Sequence, residues 1–329
     1  MKKCSFNIHA LRIACLLVLI VCIGFTACSG RGAGNNTSTG ERQLVIGFSQ
    51  MAYTSLWRIT ETDDIRAMLD ARGYRTIYTD AQNNTQKQVA DVEDILAQRP
   101  DFLILAPREE QGLVPALEAA KRANVPVILI DRRAAGVPGV DYVTVISSDF
   151  IWEGYQAAEW IANRTGGRAN IIEIYGTPGS TSAIDRAKGF AQALEKYPEM
   201  RLLGSQVGDN RRVDAQRAME NLLHAHGSAI DAVYTHSDEM TFGVVQAIKN
   251  AGLRPAEDIL VVSIDGTKLG VEAIVAGEWN AAIQCNPRLG SYVMEVLDKL
   301  IAGEPVEPWV VVTDHIFDET NAAEWAPRL

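Results

Sequence analysis

From residue 44 onward, short β-branched apolar runs alternate with longer stretches of helical spacing. LVIGFS at 44–49 precedes WRITETDDIRAMLDARG, in which Ile65, Met68 and Leu69 share one helical face. TIYTDA precedes TQKQVADVEDILAQ, with Val89, Val92, Ile95 and Leu96 aligned and Thr85 expected as the N-cap. FLILAP, VPVILID, YVTVIS, ANIIEIYG, MRLLGSQ, AIDAVYT, DILVVSI and WNAAIQC continue the rhythm, giving some ten strand-like runs. Runs that are apolar on both faces and separated by helices predict parallel sheets covered on both sides. Ten strands exceed what one open sheet usually holds. The expected fold is therefore α/β, with two Rossmann-like lobes; an eight-stranded (β/α) barrel is the other architecture compatible with the pattern.

The first residues break this rhythm. Lys2, Lys3 and Arg12 precede the apolar run IACLLVLIVCIGF at 13–25, a charged segment followed by a core too short to span a bilayer comfortably. It ends in Phe25-Thr26-Ala27-Cys28, which resembles a bacterial lipobox. The resemblance implies a signal peptide over 1–27, cleavage before Cys28 and lipidation of its thiol. A plain signal peptide or an anchor helix is the other reading of the same residues. SGRGAGNNTSTGER, at 29–42, has four glycines and no large apolar side chain, so 28–42 is expected to be a flexible tether.

Removing 1–27 takes away three positive charges and no negative one, moving the formal charge from −10 to −13. That argues against nucleic acid or an anionic surface as partner, because both require a basic face. Cys4, Cys15 and Cys22 leave with the signal segment and Cys28 would be lipidated, so Cys285 has no disulfide partner. No GxGxxG, P-loop or calcium-loop motif occurs, and Gly176-Thr177-Pro178-Gly179-Ser180 lacks dinucleotide spacing. No cofactor is expected.

In doubly wound sheets, ligands bind beyond the carboxyl ends of the strands. Those ends are polar here. Ser49 and Gln50 follow the first run, with Trp57-Arg58 a turn later; Asp131-Arg132 follow VILI; His236-Ser237-Asp238 follow AVYT; Asp265 follows LVVSI; Gln284 follows AAI. The helix entered after Gly179 carries Asp185-Arg186. Planar carboxylate, amide and guanidinium groups can each hold two neighbouring hydroxyls, and an indole offers a flat face to a sugar ring.

Five ordered stretches carry a resemblance: TDAQNNTQKQVADVEDILAQ at 79–98, IDR at 130–132, AIDRAKGF at 183–190, HSDEMTFGVVQAIKNAG at 236–252 and SIDG at 263–266. They are similar to those of the type I periplasmic sugar-binding proteins, the group of the ribose and galactose binders. FSQ…SLWR and AIDR most resemble its galactofuranose-binding branch. The resemblance implies two lobes joined by a three-strand hinge, with crossings near Ser148, Gln284 and Val312. The lobes would be 43–147 plus 285–311 and 148–284 plus 312–329. It further implies that Trp57 stacks on a sugar ring and that Arg58, Asp131 and Arg132 bind hydroxyls from the first lobe. Asp185 and Arg186 would do so from the second, with Asp238 and Asp265 completing the ring of acceptors and Gln284 on a hinge strand. Ribose binders commonly have Asn after the third strand, where this chain has Ala106-Pro107, which turns the expectation toward a hexose. The implied protein is a monomeric, extracytoplasmic lipoprotein that hands a monosaccharide to an ABC permease.

Other functions share parts of this pattern. Presentation of the sugar to a chemoreceptor or sensor kinase would use the same fold. A glycosidase would need two free carboxylates among Asp131, Asp185, Asp238 and Asp265. No GxSxG or HExxH occurs, and His224 and His226, two apart, do not share a helical face. A LacI-type repressor would need a basic helix-turn-helix, which the sequence lacks.

Overall fold

The computed structural model describes residues 42–329; the expected signal peptide, Cys28 and the expected tether up to residue 41 lie outside them. The chain builds β1 (Val45–Gln50), α1 (Leu56–Ala71), β2 (Arg75–Asp80), α2 (Thr85–Ala97), β3 (Phe102–Leu105), α3 (Val114–Ala123), β4 (Val127–Ile130) and β5 (Thr144–Ser147). It continues with α4 (Phe150–Thr165), β6 (Arg168–Tyr175), α5 (Thr181–Leu194), β7 (Glu199–Val207), α6 (Arg212–His226), β8 (Ala232–Thr235) and α7 (Asp238–Asn250). The last part holds β9 (Leu260–Asp265), α8 (Lys268–Val275), β10 (Ala281–Gln284), α9 (Gly290–Ala302), β11 (Trp309–Val311) and β12 (Ile316–Asp318).

These strands form two six-stranded sheets, ordered β11-β5-β4-β3-β1-β2 and β12-β10-β9-β8-β6-β7. All pairings are parallel except that of β10 with β12. Two α/β lobes result, and the barrel alternative falls away. β11 and β12 escaped the periodicity argument because they are only three residues long, and the outer positions of β11 are exposed.

Every residue of β4, β5, β8 and β10 is buried, as expected for strands covered on both faces. Each lobe accordingly has a core on either side of its sheet. In the first lobe, Ile65, Leu69, Val293 and Leu297 pack α1 and α9 on one face, and Val92, Ile95, Ala116 and Leu117 pack α2 and α3 on the other.

Six of the helices begin with a side chain that accepts from the backbone N–H three residues on: Ser55, Asn84, Asp149, Ser180, Ser237 and Thr267. The cap of α2 is Asn84 and not Thr85. Asn84 has extended backbone angles, whereas Thr85 is already helical and its hydroxyl bonds Glu109.

The chain changes sheet three times: between β5 and β6, after β10, and between β11 and β12. The three crossings lie side by side. Val312 N–H donates to Ser147 (3.0 Å), Gln284 N–H to His315 (2.8 Å) and Asn286 N–H to Asp314 Oδ1 (2.8 Å).

Helices α4 and α5 touch backbone to backbone. A Cβ on Gly154 would enter the carbonyl oxygen of Arg186, and one on Gly189 would enter that of Ile151. Neither obstacle is a flexible side-chain end, so neither can give way. Gly154→Ala should therefore cost at least the ~1–3 kcal/mol typical of overpacking, read from urea unfolding. Because Arg186 sits on the displaced turn, ligand affinity should fall as well. Unchanged stability in that variant would show that the helices do not meet as described.

Candidate functional site

The helix N-termini and strand ends of both lobes converge on one cleft of about 750 Å³. Its floor contains three buried arginines. From α1, Arg58 pairs with Glu61 (2.9 Å) and with Asp131, which follows β4. Arg132 has its Nε 3.2 Å from the same Asp131 carboxylate, yet that N–H is not aligned to donate and has no hydrogen-bond partner. One terminal nitrogen of Arg132 donates to the Arg108 carbonyl (2.9 Å). From α5 in the second lobe, Arg186 pairs with Glu153 (2.6 Å), donates to the His236 carbonyl (2.8 Å) and lies 4.0 Å from Asp265.

Trp57 closes one side. Its indole N–H donates to the Cys285 carbonyl (2.6 Å) in the second crossing, and the Arg58 guanidinium lies 4.7 Å over its ring. Two acids at this floor have left-handed backbones, Asp131 with φ 59° and Asp265 with φ 111°. Such strain in non-glycine residues gathers at ligand clamps.

Burial dominates the ionisation of these groups. Burial opposes the charge of Arg58, but Asp131 and Glu61 outweigh it and hold the pKa above the ordinary value. Burial, aided by the charge of Arg58, lowers Arg132 to about 10, so it stays protonated at neutral pH. Burial raises Glu61 to about 7 and Glu153 to about 8, each against the pull of its arginine. Asp265 is raised well above the carboxylate range, first by burial and then by the charge of Asp238.

Of the expected ligand-binding residues, Trp57, Arg58, Asp131, Arg132, Arg186 and Asp265 line the cleft. Four do not. Ser49 is wholly buried within β1. Asp185 precedes Arg186 on a helix and so faces about 100° away from it; it pairs across the lobes with Arg133 instead. Asp238 turns inward, accepting from Ser263 Oγ (2.6 Å) and from the backbone and hydroxyl of Thr267 (2.7 Å each). The Gln284 side chain accepts from His315 N–H (3.2 Å) and fastens the hinge.

Sequence reasoning passed over Gln82-Asn83 after β2 and Asp209-Asn210 after β7, all of which line the cleft. The rule that found Asp131 and Asp265 would have found them had it been applied to every strand end. The lobes also meet at the rim: Glu110 N–H donates to the Gly179 carbonyl (3.0 Å) and Arg133 N–H to Thr181 Oγ1 (3.0 Å).

A polar, arginine-floored cleft between two hinged α/β lobes defines a two-lobed solute-binding protein. The family model described as a periplasmic binding protein domain matches residues 46–305. The galactofuranose-binding protein YtfQ of Escherichia coli K12 is 36% identical over 259 residues, covering 78% of this chain and 81% of that protein. The ribose import binding protein RbsB of the same strain is 34% identical over 246 residues, covering 74% and 80%. The binding protein of the arabinose ABC transporter from Shewanella sp. ANA-3, solved with α- and β-L-arabinofuranose, superimposes with a TM-score of 0.83 at 36% identity, covering 86% of this chain and 95% of that one. The chain belongs to the periplasmic binding protein family, in its type I sugar-binding group.

The raised carboxyls set a pH dependence. An acid whose folded pKa exceeds its unfolded value stabilises fully below the unfolded pKa, and that stability is lost as pH rises through the folded one. Glu153 moves from 4.5 to about 8 and Glu61 from 4.5 to about 7, so stability is lost up to about pH 7 through Glu61 and up to about pH 8 through Glu153. His236, lowered by burial, acts in the opposite sense but below pH 6.5. The melting temperature of the ligand-free protein should therefore fall between pH 6.5 and 8, and Glu153→Gln should flatten the fall. A melting temperature that rises across this window would overturn the assignment.

Proposed function

We propose that the protein captures a monosaccharide in the cleft and delivers it to an ABC permease, with a galactose-like hexose in furanose form as the leading ligand. The observation that carries this reading is the meeting of Trp57, Arg58, Asp131 and Arg132 from one lobe with Arg186 and Asp265 from the other. Charged donors and acceptors alternate around a space bounded by an indole, which suits a ring that is hydroxylated at its edge and apolar on its face. Two of the similar proteins named above bind furanose sugars, galactofuranose and arabinofuranose. Binding is favoured over catalysis because Asp131 is held between Arg58 and Arg132, which suits hydroxyl recognition better than proton transfer. Closure would proceed about the three crossings, with lobes made of 43–147 plus 285–311 and 148–284 plus 312–329. The working form is a monomer outside the cytoplasm, tethered through a lipidated Cys28.

Calorimetry with galactose, arabinose, ribose, glucose, xylose and methyl galactofuranoside tests the ligand. If the furanose ring is what binds, the galactofuranoside should bind more tightly than free galactose, whose furanose form is a minor fraction. Asp131→Ala should weaken binding by about ten- to a hundredfold, the worth of a charged hydrogen-bond partner. Tight ribose binding without response to either galactose form would refute the hexose; full affinity in Asp131→Ala would refute the site.

The anchor is tested separately. Cys28→Ala should move the protein from the membrane to the soluble fraction of expressing cells. Identical fractionation of both forms as soluble protein would refute lipidation.

A further inference from the structure

Ser237 and Glu239 line the cleft, but Asp238 between them does not. Its carboxylate is buried and faces the turn that joins β9 to α8. Oδ1 accepts from Ser263 Oγ (2.6 Å), inside β9. Oδ2 accepts from the N–H and the hydroxyl of Thr267 (2.7 Å each), the cap of α8. A carboxylate is acceptor-only, so it can receive all three donors at once. Burial raises Asp238 to about 6, so it is ionised at neutral pH and these bonds are charge-assisted. The fit is tight: a Cβ on Gly270 in α8 would run into the carboxylate. One acid thus fastens both ends of the turn.

Between those ends stands Asp265, which lines the cleft from the second lobe. Asp265 and Gly266 are left-handed in succession, with φ of 111° and 60°. Glycine adopts such a conformation freely, whereas an aspartate stays in it only where its surroundings fix it. Arg186 does not fix it, lying 4.0 Å from Asp265 Oδ1, beyond hydrogen-bond distance. Two backbone donors do. Cys285 N–H reaches the Asp265 carbonyl (3.0 Å), and Asp238 N–H reaches Asp265 Oδ2 (3.2 Å). Asp238 therefore holds Asp265 in two ways, through its own N–H and through the turn on either side. With Oδ2 occupied, Oδ1 is the oxygen that Asp265 has to offer.

We infer that Asp238 is the positioning residue of Asp265: it clamps the β9–α8 turn from beneath and sets where Asp265 Oδ1 meets a ligand hydroxyl, without touching the ligand itself. The inference rests on the proposal that Asp265 holds a sugar hydroxyl and extends it. It also gives the inward turn of Asp238 a purpose at the site that the sequence order alone does not reveal.

Calorimetry of the full chain at neutral pH, with methyl galactofuranoside and with arabinose as a second probe, would compare Asp238→Ala, Asp265→Ala and the double variant. Asp265→Ala should weaken binding by about ten- to a hundredfold, the worth of a charged hydrogen-bond partner. Asp238→Ala should cost about tenfold by misplacing that partner. In the Asp265→Ala background the same change should cost less than about twofold, because its route to the ligand is already gone. A residue needed only for folding would instead weaken binding by the same factor in both backgrounds. If Asp238→Ala does not fold, Ser263→Ala releases one end of the turn, and its loss of about threefold should likewise vanish without Asp265. Equal losses in both backgrounds, or no loss in whichever variant folds, would overturn the positioning role and leave the floor reading intact. Full affinity in Asp265→Ala, or failure of both sugars to bind, would overturn the floor reading and this inference together.

Discussion

A guanidinium taken out of water is tolerated only where carboxylates and carbonyls replace its hydration, and removing one partner strands the other charge. Arg58, Arg132 and Arg186 are each more than nine-tenths buried, and the cleft is arranged around that requirement. Glu61, Asp131, Glu153 and Asp265 surround them, and each comes from a different element: α1, the end of β4, α4 and the end of β9. The close approach of α4 to α5 at Gly154 and Gly189 has the same purpose. It brings Glu153 within 2.6 Å of Arg186 without the spacing that side chains between the helices would impose. Packing and electrostatics are thus one constraint at this site.

The two lobes are joined differently at the hinge and at the rim. At the hinge, backbone bonds among the three crossings and the Gln284 amide hold the strands in fixed register. At the rim, contact depends on a few groups: Glu110 with Gly179, Arg133 with Thr181 and Asp185, and Arg108 near Asp209. Partly exposed ion pairs of the rim type contribute little, typically ~0–1 kcal/mol each. In the proposed closure, a strong hinge with a weak rim would leave the equilibrium to be set by what lies in the cleft.

The two-lobed α/β plan was legible because ten strands announce themselves as apolar runs separated by stretches of helical spacing. The short β11 and β12 were not, since Trp309 and Val311 are exposed and carry no alternating signal. In the site, residues placed by a strand end, such as Asp131 and Asp265, could be read directly. Of the residues placed by a helix, Trp57, Arg58 and Arg186 reach the cleft and Asp185 does not. Asp185 and Arg186 are neighbours in sequence yet face apart, whereas Trp57 and Arg58 both reach the cleft because the guanidinium folds back over the indole. Asp238 follows a strand and still turns inward, since Ser263 and Thr267 satisfy it there. Glu61 and Glu153 gave no sequence signal, because their role is fixed by arginines brought near them only by the fold.

Beneath the cleft the arginine clusters retain unmet hydrogen-bonding capacity. Arg132 Nε has no aligned acceptor, and the Oε1 atoms of Glu61 and Glu153 receive no donor. A buried group left in this state costs ~1–3 kcal/mol, and the fold carries that cost at several atoms at once. These atoms lie beneath the cleft surface, with Glu61 and Glu153 wholly buried, so the cost is set against the ion pairs to Arg58 and Arg186 and not against a ligand. What the cleft itself exposes is the layer above them, the side chains of Trp57, Arg58, Asp131, Arg132, Arg186 and Asp265. The buried acids thus hold the guanidiniums in place from below, and the position of each arginine in the cleft is fixed before anything enters it.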